Sequence, residues 1–432
     1  MKAYLAAIFL FIITTPLLYA LPVEEDTLRI SKKEAEALFL NNNLDLIIQK
    51  LNIQQEEAQI IQAKLWPNPE FSVEEVNLWA TKDQLSSGER LPPVVGNFGR
   101  NRQFAAALEQ RIETAGKRGK RIALETVSRD IAAEYFSELI RNLKSDLRKN
   151  LSELSYHQSY LSVLIVQQQA LGTLLASFEK QYASGNLNKQ DLFRLKALKL
   201  ELNQQIVESQ KLVHAVQKEL SVLLNLPSAS YLVVEIPASS QTENLGMLTL
   251  DNLISAANTN RPDGKMKVLG ESLARKKYDL EYAQRKPDIT VGANYDRGGN
   301  FLLNFIGFGF KLDLPVFNRN QGAILESKIG IDKSKTETEQ KLKAIEAEVT
   351  VTFRDLRTNL EAFRNLDPAY DTDLDQVFET YTSYFIQRRI NMLEYLDFFD
   401  AYVSNKQTIL LTKKQLWDSI EEMNFVTATE IN

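Results

Sequence analysis

Two periods of apolar and polar residues run along this chain, and the switches between them mark its elements. Helical spacing holds from Ser31 to near Pro67 and again from Thr249 to near Pro287, which predicts a helix of about 35 residues in each place. Ser31-Lys32-Lys33-Glu34 opens the first as a capping box, the hydroxyl satisfying orphan amides and the carboxylate reaching back; Thr249 stands at the same place in the second. Past Pro287 the period falls to two. Ile289, Val291, Ala293 and Tyr295 alternate with Thr290, Gly292, Asn294 and Asp296. Next, Ile306, Phe308, Phe310, Leu312 and Leu314 alternate with Gly307, Gly309, Lys311 and Asp313. After Pro67 the pattern is weaker, since Phe71 to Trp79 changes phase at Glu74-Glu75, although Phe104, Ala106, Leu108 and Ile112 keep register. Strands are expected at about 71–79, 104–113, 288–296 and 303–315. An apolar face opposite a polar, glycine-containing one suits strands set between lipid and a wet lumen, and a half-buried soluble hairpin shows the same alternation.

Each strand pair is followed by a helix of unusual length, expected at 118–182 and 322–386, which at ~1.5 Å per residue would span roughly 100 Å. In the first, Val127, Ile131, Tyr135, Leu139, Leu143, Leu147 and Leu151 fall at steps of four. Each such step overshoots a turn by about 40°, so the stripe walks around the helix and must meet neighbours on more than one side. Pro368 should interrupt or kink the second, because proline removes a donor and clashes with the preceding turn. The chain then turns at Ser184-Gly185-Asn186 and at Arg388-Arg389-Ile390-Asn391, and return helices follow at 189–223 and 391–425.

This order occurs twice. Asn42-Asn43-Leu44-Asp45 matches Asn260-Arg261-Pro262-Asp263, and Pro69 to Val73 matches Pro287 to Val291, at a shift of 218; Gly119 matches Gly322, and Asn188 to Asp191 matches Asn391 to Glu394, at 203. The difference is an insertion in the first copy between about residues 76 and 110, where Ala80 to Arg102 reads as a loop. The repeats occupy 21–225 and 249–432, joined by a polar, Ser-rich connector at 226–248.

Composition narrows the function. With 51 Lys+Arg against 56 Asp+Glu in 432 residues, the chain has no basic excess for nucleic acid. Zero Cys excludes disulfides, thiolate metal sites and cysteine nucleophiles, and two His, at 157 and 214, far apart on helices, give little basis for a metal site. No cofactor and no catalytic constellation is expected. Lys117 to Arg121 resembles a phosphate loop only superficially, since Arg121 stands where Ser or Thr is needed; the cluster is expected at the membrane's periplasmic boundary. Lys2 followed by apolar residues from Ala3 to Ala20 and then Leu-Pro-Val-Glu-Glu-Asp reads as a signal peptide at 1–20. No later apolar run approaches the ~18 residues of a spanning helix, so an exported chain crossing a membrane would do so as β-strands. Tyr295, Phe301, Phe305 and Trp79 would then suit aromatic girdles, or simply pack loops. Four strands do not close a membrane barrel, so several chains must share one, or the strands lie outside a membrane.

The order of elements, with Trp66-Pro67-Asn68-Pro69-Glu70 leading into strand one, Gly116 to Arg121 after strand two, Tyr182 to Asp191 at the first turn and Leu314 to Gly322 after strand four, resembles the TolC-type outer-membrane efflux proteins, the outer membrane factors. Asn68-Pro69-Glu70 and Gly116-Lys117-Arg118 are similar to the heavy-metal cation efflux branch. The resemblance implies a mainly α fold with a β-barrel contribution: long helical hairpins forming a periplasmic tunnel, four transmembrane strands per chain, and a homotrimeric 12-stranded barrel in the outer membrane. It implies a passive exit duct partnered by a periplasmic adaptor (membrane fusion protein), an inner-membrane pump of the RND type and outer-membrane lipid. By motif position it implies aperture carboxylates at Asp191, Glu394 and Asp397, with Arg388 and Arg389 beside them, and adaptor-contacting turns at Gly185, Asn186, Leu187 and Asn391. Each carboxylate also suits the start of a helix, where it favours the dipole. A family-like turn would carry Gly where Arg388 stands. The rival to the duct is a periplasmic structural or adaptor coiled-coil protein, whose strands would form a soluble domain.

Overall fold

The computed structural model describes residues 26–74, 82–86, 104–185, 188–227, 230–235, 245–298, 302–367 and 369–431. The leader at 1–20, Trp79, Asn186, Leu187, Phe301 and Pro368 lie outside them. In chain order the elements are β1 (Asp26–Ser31), α1 (Lys32–Asn42), α2 (Leu44–Lys64), β2 (Glu70–Glu74), α3 (Lys82–Ser86), β3 (Ala105–Ile112), α4 (Lys117–Ala183), α5 (Lys189–Leu224) and β4 (Ser230–Glu235). There follow α6 (Leu250–Asn260), α7 (Pro262–Gln284), β5 (Ile289–Asp296), β6 (Phe305–Leu312), α8 (Gln321–Arg364), α9 (Tyr370–Ile386) and α10 (Met392–Thr427). Two compact units form: Met1–Asn43 with Lys144–Ser240 and Asn359–Asp418, and Leu44–Leu143 with Gln241–Thr358 and Ser419–Asn432. Each unit draws on both repeats.

The 67 residues of α4 contain no proline, and its helix is uninterrupted. The step-of-four stripe drifts as its spacing demands: Tyr135 is exposed, whereas Leu147 and Leu151 are buried. One 18-residue window of α4 is apolar enough to cross a membrane, contrary to the expectation that no such run follows residue 20. Leu164, Leu171 and Leu174 of this helix lie in the core of the first unit.

A further expectation needs correction. The leading helices are not continuous. They break at Asn43 (φ −64°, ψ 124°) and Arg261 (φ −64°, ψ 122°), both buried. Before Pro262 the extended conformation follows from proline sterics; at Asn43 the side chain does the work, donating to Leu223 O at 2.9 Å. The second long helix, expected at 322–386 with an interruption or kink at Pro368, is in fact two, α8 ending at Arg364 and α9 beginning at Tyr370. β1 and β4, two strands that were not anticipated, the second within the connector, pair in parallel from Asp26↔Ser230 to Ser31↔Glu235. Gln217 and Gln158 complete β4: both donate to Leu232 O at 2.7 Å, Leu232 N donates to Gln217 at 2.9 Å and Val234 N to Gln158 at 3.3 Å. Side-chain amides there stand in for a missing strand. Ser31 and Glu34 form the predicted capping box; Thr249 is an N-cap without a side-chain hydrogen bond.

In the second unit, β2, β3, β5 and β6 form an antiparallel sheet in that order. Paired residues share a face, so the register sorts the sheet. Rows Phe71–Leu108–Ala293–Phe308 and Val73–Ala106–Tyr295–Ile306 lie on one face, as do Val291–Phe310 beside Gln110 and Ile112–Ile289–Leu312. The opposite face carries Glu70–Glu109–Gly292–Gly309 and Ser72–Ala107–Asn294–Gly307. Phe305 falls on this polar face, opposite Asp296, so it leaves the apolar girdle expected of it.

Candidate functional site

The two helical turns of the first unit are built alike. In the first, Gly185 N donates to Tyr182 O at 2.9 Å with φ +76°, a left-handed conformation that glycine adopts without strain. In the second, at the repeat shift of 203, Arg388 N donates to Phe385 O at 3.0 Å with φ 58°. Arg389 N closes a six-residue loop onto Tyr384 O at 2.8 Å, the bond that ends a helix in a Schellman turn. Arginine thus takes the backbone that glycine takes in the first copy, and its guanidinium donates to Gln181 Oε1 at 2.7 Å. Arg389 lies over the Tyr384 ring, 5.5 Å from its centroid.

Each return helix starts with an asparagine. Asn188 accepts from Asp191 N at 2.8 Å, and Asn391 accepts from Glu394 N at 3.0 Å while Glu394 accepts from Asn391 N at 3.0 Å. Glu394 therefore closes a capping box, and Asp191, half-buried, sits in the first turn of α5. An aromatic column holds both turns in place: Phe178 stacks on Phe385 at 5.1 Å, Phe385 on Tyr395 at 4.4 Å, and Tyr381 on Phe398 at 4.2 Å. Leu192 and Met392, just inside each return helix, are buried against this cluster.

Asp397 is exposed on α10, and one turn further Asp400 lines a groove of about 250 Å³ with Tyr160, Glu201, Gln205, Ser404 and Gln407. Burial in the groove, then the charges of Glu201 and Asp397, raise the Asp400 carboxyl above its usual range. Sequence reading missed Glu201 and Asp400. The spacing of Asp397 and Asp400, three apart on one helix, was a readable signal for the second. Elsewhere on α10, Lys406 reaches Asp371 at 2.6 Å and Asp375 at 2.7 Å, and Tyr402 donates to Asp375 at 2.7 Å. Burial, then the Asp375 carboxylate, pushes the Tyr402 hydroxyl far up, fixing it as a neutral donor. His157 bonds Glu153 at 2.8 Å, and His214 is exposed. Among the described residues no group of three or more His, Asp or Glu could hold a metal ion.

The sheet is the other candidate surface. Phe308 is 86% and Phe310 79% exposed on its apolar face, and Ile306, Phe71, Val73 and Leu108 are also exposed. At the end where strands meet helices, Lys117 is buried and reaches Asp288 at 2.7 Å and Lys286 O at 2.7 Å; Arg121 reaches buried Glu113 at 2.7 Å. Within the basic cluster Lys117 links the two repeats, whereas Arg121 and Lys120, which reaches Ala115 O at 2.9 Å, bond within the first. Arg118 remains outside it, its guanidinium over the Trp66 ring at 3.9 Å.

A chain of two repeats with four amphipathic strands and long helical hairpins, its apolar sheet face uncovered, has the build of a membrane channel protomer. The fold is that of the TolC-type outer-membrane channels. The chain is 18% identical to the crystal structure of CusC, described for its folding and transmembrane channel formation, with a TM-score of 0.67 over 92% of this chain and 91% of that one. Against the outer membrane channel CmeC of Campylobacter jejuni the identity is 14% and the TM-score 0.73, over 92% and 85% of the two chains. In sequence it is 21% identical over 379 residues to the cobalt-zinc-cadmium resistance protein CzcC of Cupriavidus metallidurans, covering 84% of this chain and 81% of the relative. No protein-family model matches it.

Proposed function

We propose that the chain is the protomer of an outer-membrane exit duct of a tripartite efflux system, conducting substrate passively from an inner-membrane pump and a periplasmic adaptor. The uncovered apolar sheet face carries this reading. An antiparallel sheet with open edges at β2 and β6 and Phe308 and Phe310 facing outward fits hydrocarbon only when other copies close it. Three copies would supply a 12-stranded barrel, within the range of membrane barrels. A soluble adaptor would leave this face in water, which disfavours the rival reading.

The helical hairpins serve as the periplasmic tunnel, and their turns as the aperture and the adaptor contact. Asp191, Glu394 and Asp397 are the aperture carboxylates, with Asp400 and Glu201 above them in the groove. Arg388 and Arg389, at the second turn, are proposed as aperture residues beside these carboxylates, and the adaptor contact is assigned to Gly185 and Asn391, with Asn186 and Leu187 assigned to it from their sequence position. The likeness to CzcC, whose name assigns it to cobalt-zinc-cadmium resistance, favours divalent metal cations as the cargo, and the resemblance in the motifs is the basis for proposing an RND-type pump behind the adaptor. Acidic side chains along a lumen concentrate such cations without binding them permanently.

Single-channel conductance of the purified protein in planar bilayers tests the reading. A trimer-sized pore with cation preference is expected, and the preference should fall in Asp191→Ala/Glu394→Ala/Asp397→Ala. Unchanged selectivity would discard these residues as the aperture. Absence of any pore would discard the duct.

A further inference from the structure

We propose that the band where the sheet meets its helices is a headgroup site for anionic phospholipid of the periplasmic leaflet; this rests on reading the sheet as a membrane barrel. The apolar face ends at the row Ile112–Ile289–Leu312. Immediately beyond it Leu65, Trp66, Leu314, Val316 and Phe317 are exposed, Phe317 by 92%. Gln110, the polar member of the apolar face, donates to Pro67 O at 2.9 Å and so ties the Trp66 segment to the outward side.

Each repeat places a stacked arginine in this band. Arg118 lies over Trp66 and donates to Lys64 O at 3.3 Å, and Arg285 lies over Tyr282, with its guanidinium 3.9 Å from the ring centroid in each case. A guanidinium held flat on an aromatic face keeps its outer edge free for a bidentate phosphate contact. The aromatic ring beneath suits the boundary between hydrocarbon and headgroups.

The acids of the region are mostly engaged. Glu113 is held by Arg121 and Arg111, Asp288 by Lys117, and Glu281 accepts from Asn320. Glu70 and Glu109 lie on the opposite face of the sheet, which leaves Glu281, whose Asn320 partner is neutral, and exposed Asp313. Against them stand Lys64, Arg118, Arg285, Lys286 and Arg319, which form no ion pair among the described residues. Positive charge directly below an apolar surface is complementary to anionic lipid headgroups, and the continuity of the two surfaces favours lipid over a protein partner.

The test is Trp66 fluorescence in the full chain carrying Trp79→Phe and Trp417→Phe, reconstituted in phosphatidylcholine vesicles with graded brominated phosphatidylglycerol, and in the converse mixture. Insertion is scored separately by protease protection of the strands. The anionic lipid should outcompete the zwitterionic one at Trp66 by about fivefold, the factor expected for one basic side chain at an anionic surface. That factor should fall toward one in Arg118→Gln/Arg285→Gln and at high salt. Equal quenching by both lipids in an inserted protein overturns the headgroup site and leaves the barrel standing. Absence of quenching by either, again with insertion, means a protein covers the band and also overturns it. Failure to insert removes the barrel reading, and this proposal with it.

Discussion

Asp263 offers the sharpest test of how the second unit is held together. Its carboxylate takes Arg261 at 3.0 and 2.6 Å through two guanidinium nitrogens, Lys341 at 2.7 Å, and lies 3.7 Å from Arg141. Arg261 is buried and also bonds Glu348 at 2.7 Å and Val426 O at 3.2 Å. Burial alone would raise the Asp263 carboxyl, but the hydrogen bonds from Arg261 and Lys341 outweigh it and hold the group far below the usual carboxylate range. Asp263→Asn keeps the shape and removes the charge. Breaking a buried pair costs about 3–5 kcal/mol, and the partners Arg261 retains reduce this to about 2–4 kcal/mol. For a unit of roughly 200 residues that is about 5–15 °C in Tm. The sign with pH follows from the lowered folded-state value: the advantage of Asp over Asn is complete above the unfolded carboxyl's ~4 and shrinks as pH falls below it. Thermal melts of both proteins in detergent at pH 7, 5 and 3 measure it. Equal Tm at pH 7, or a gap that does not narrow between pH 5 and 3, would refute the reasoning.

Three further outcomes are expected. Gly307→Val should lower the stability of the four-stranded sheet by about 1–3 kcal/mol, because a Cβ there would sit 2.5 Å from Asn294 Oδ1 and 2.8 Å from the Phe305 ring, whereas Gly309→Ala, with nothing within 4 Å, should be tolerated; thermal melts in detergent separate them. Gly185→Val should cost about 1–2 kcal/mol at a φ of +76°, while Arg388→Gly, relieving the same backbone in the second turn, should leave the melting of the first unit within about 1 kcal/mol of wild type. Lys406→Met should loosen α9 by about 2 kcal/mol, read as roughly 30-fold faster amide exchange along Tyr370–Ile386 with α5 unaffected, since Asp371 and Asp375 lose their shared cation.

What the sequence made legible was what period and punctuation encode. The phase of β5 and β6 carried through to the register because every second residue must share a face, and the absence of proline from 117 to 183 left nothing to interrupt α4. The parallel pair β1–β4 was missed although Tyr231-Leu232-Val233-Val234 is β-prone. Its flanks are proline and serine, and its partner lies some 200 residues away, a separation that no local pattern reports. Of the turn residues, Glu394 and Asp191 were legible as helix starts. The groove acids Glu201 and Asp400 come from different helices, and only packing brings them together.

The two copies also show how one joint is solved twice. At the shift of 218, Asn43 and Arg261 break their helices with nearly the same dihedrals, and their amides bond Phe39 O and Ala257 O, both at 3.0 Å. At the shift of 203, their side chains donate to Leu223 O and Val426 O near the ends of the two return helices. A short neutral amide is enough in the first copy, because it satisfies one carbonyl and brings no charge into the interior. The longer arginine of the second copy does the same and imports a charge, and a buried charge requires partners. Asp263 and Glu348 supply them, and Asp263 in turn gathers Lys341 and Arg141. Asp45 stands in the first copy where Asp263 stands in the second, so the acid is common to both joints, and what distinguishes the second is the Arg261 charge that Asp263 and Glu348 hold at a backbone geometry both copies share.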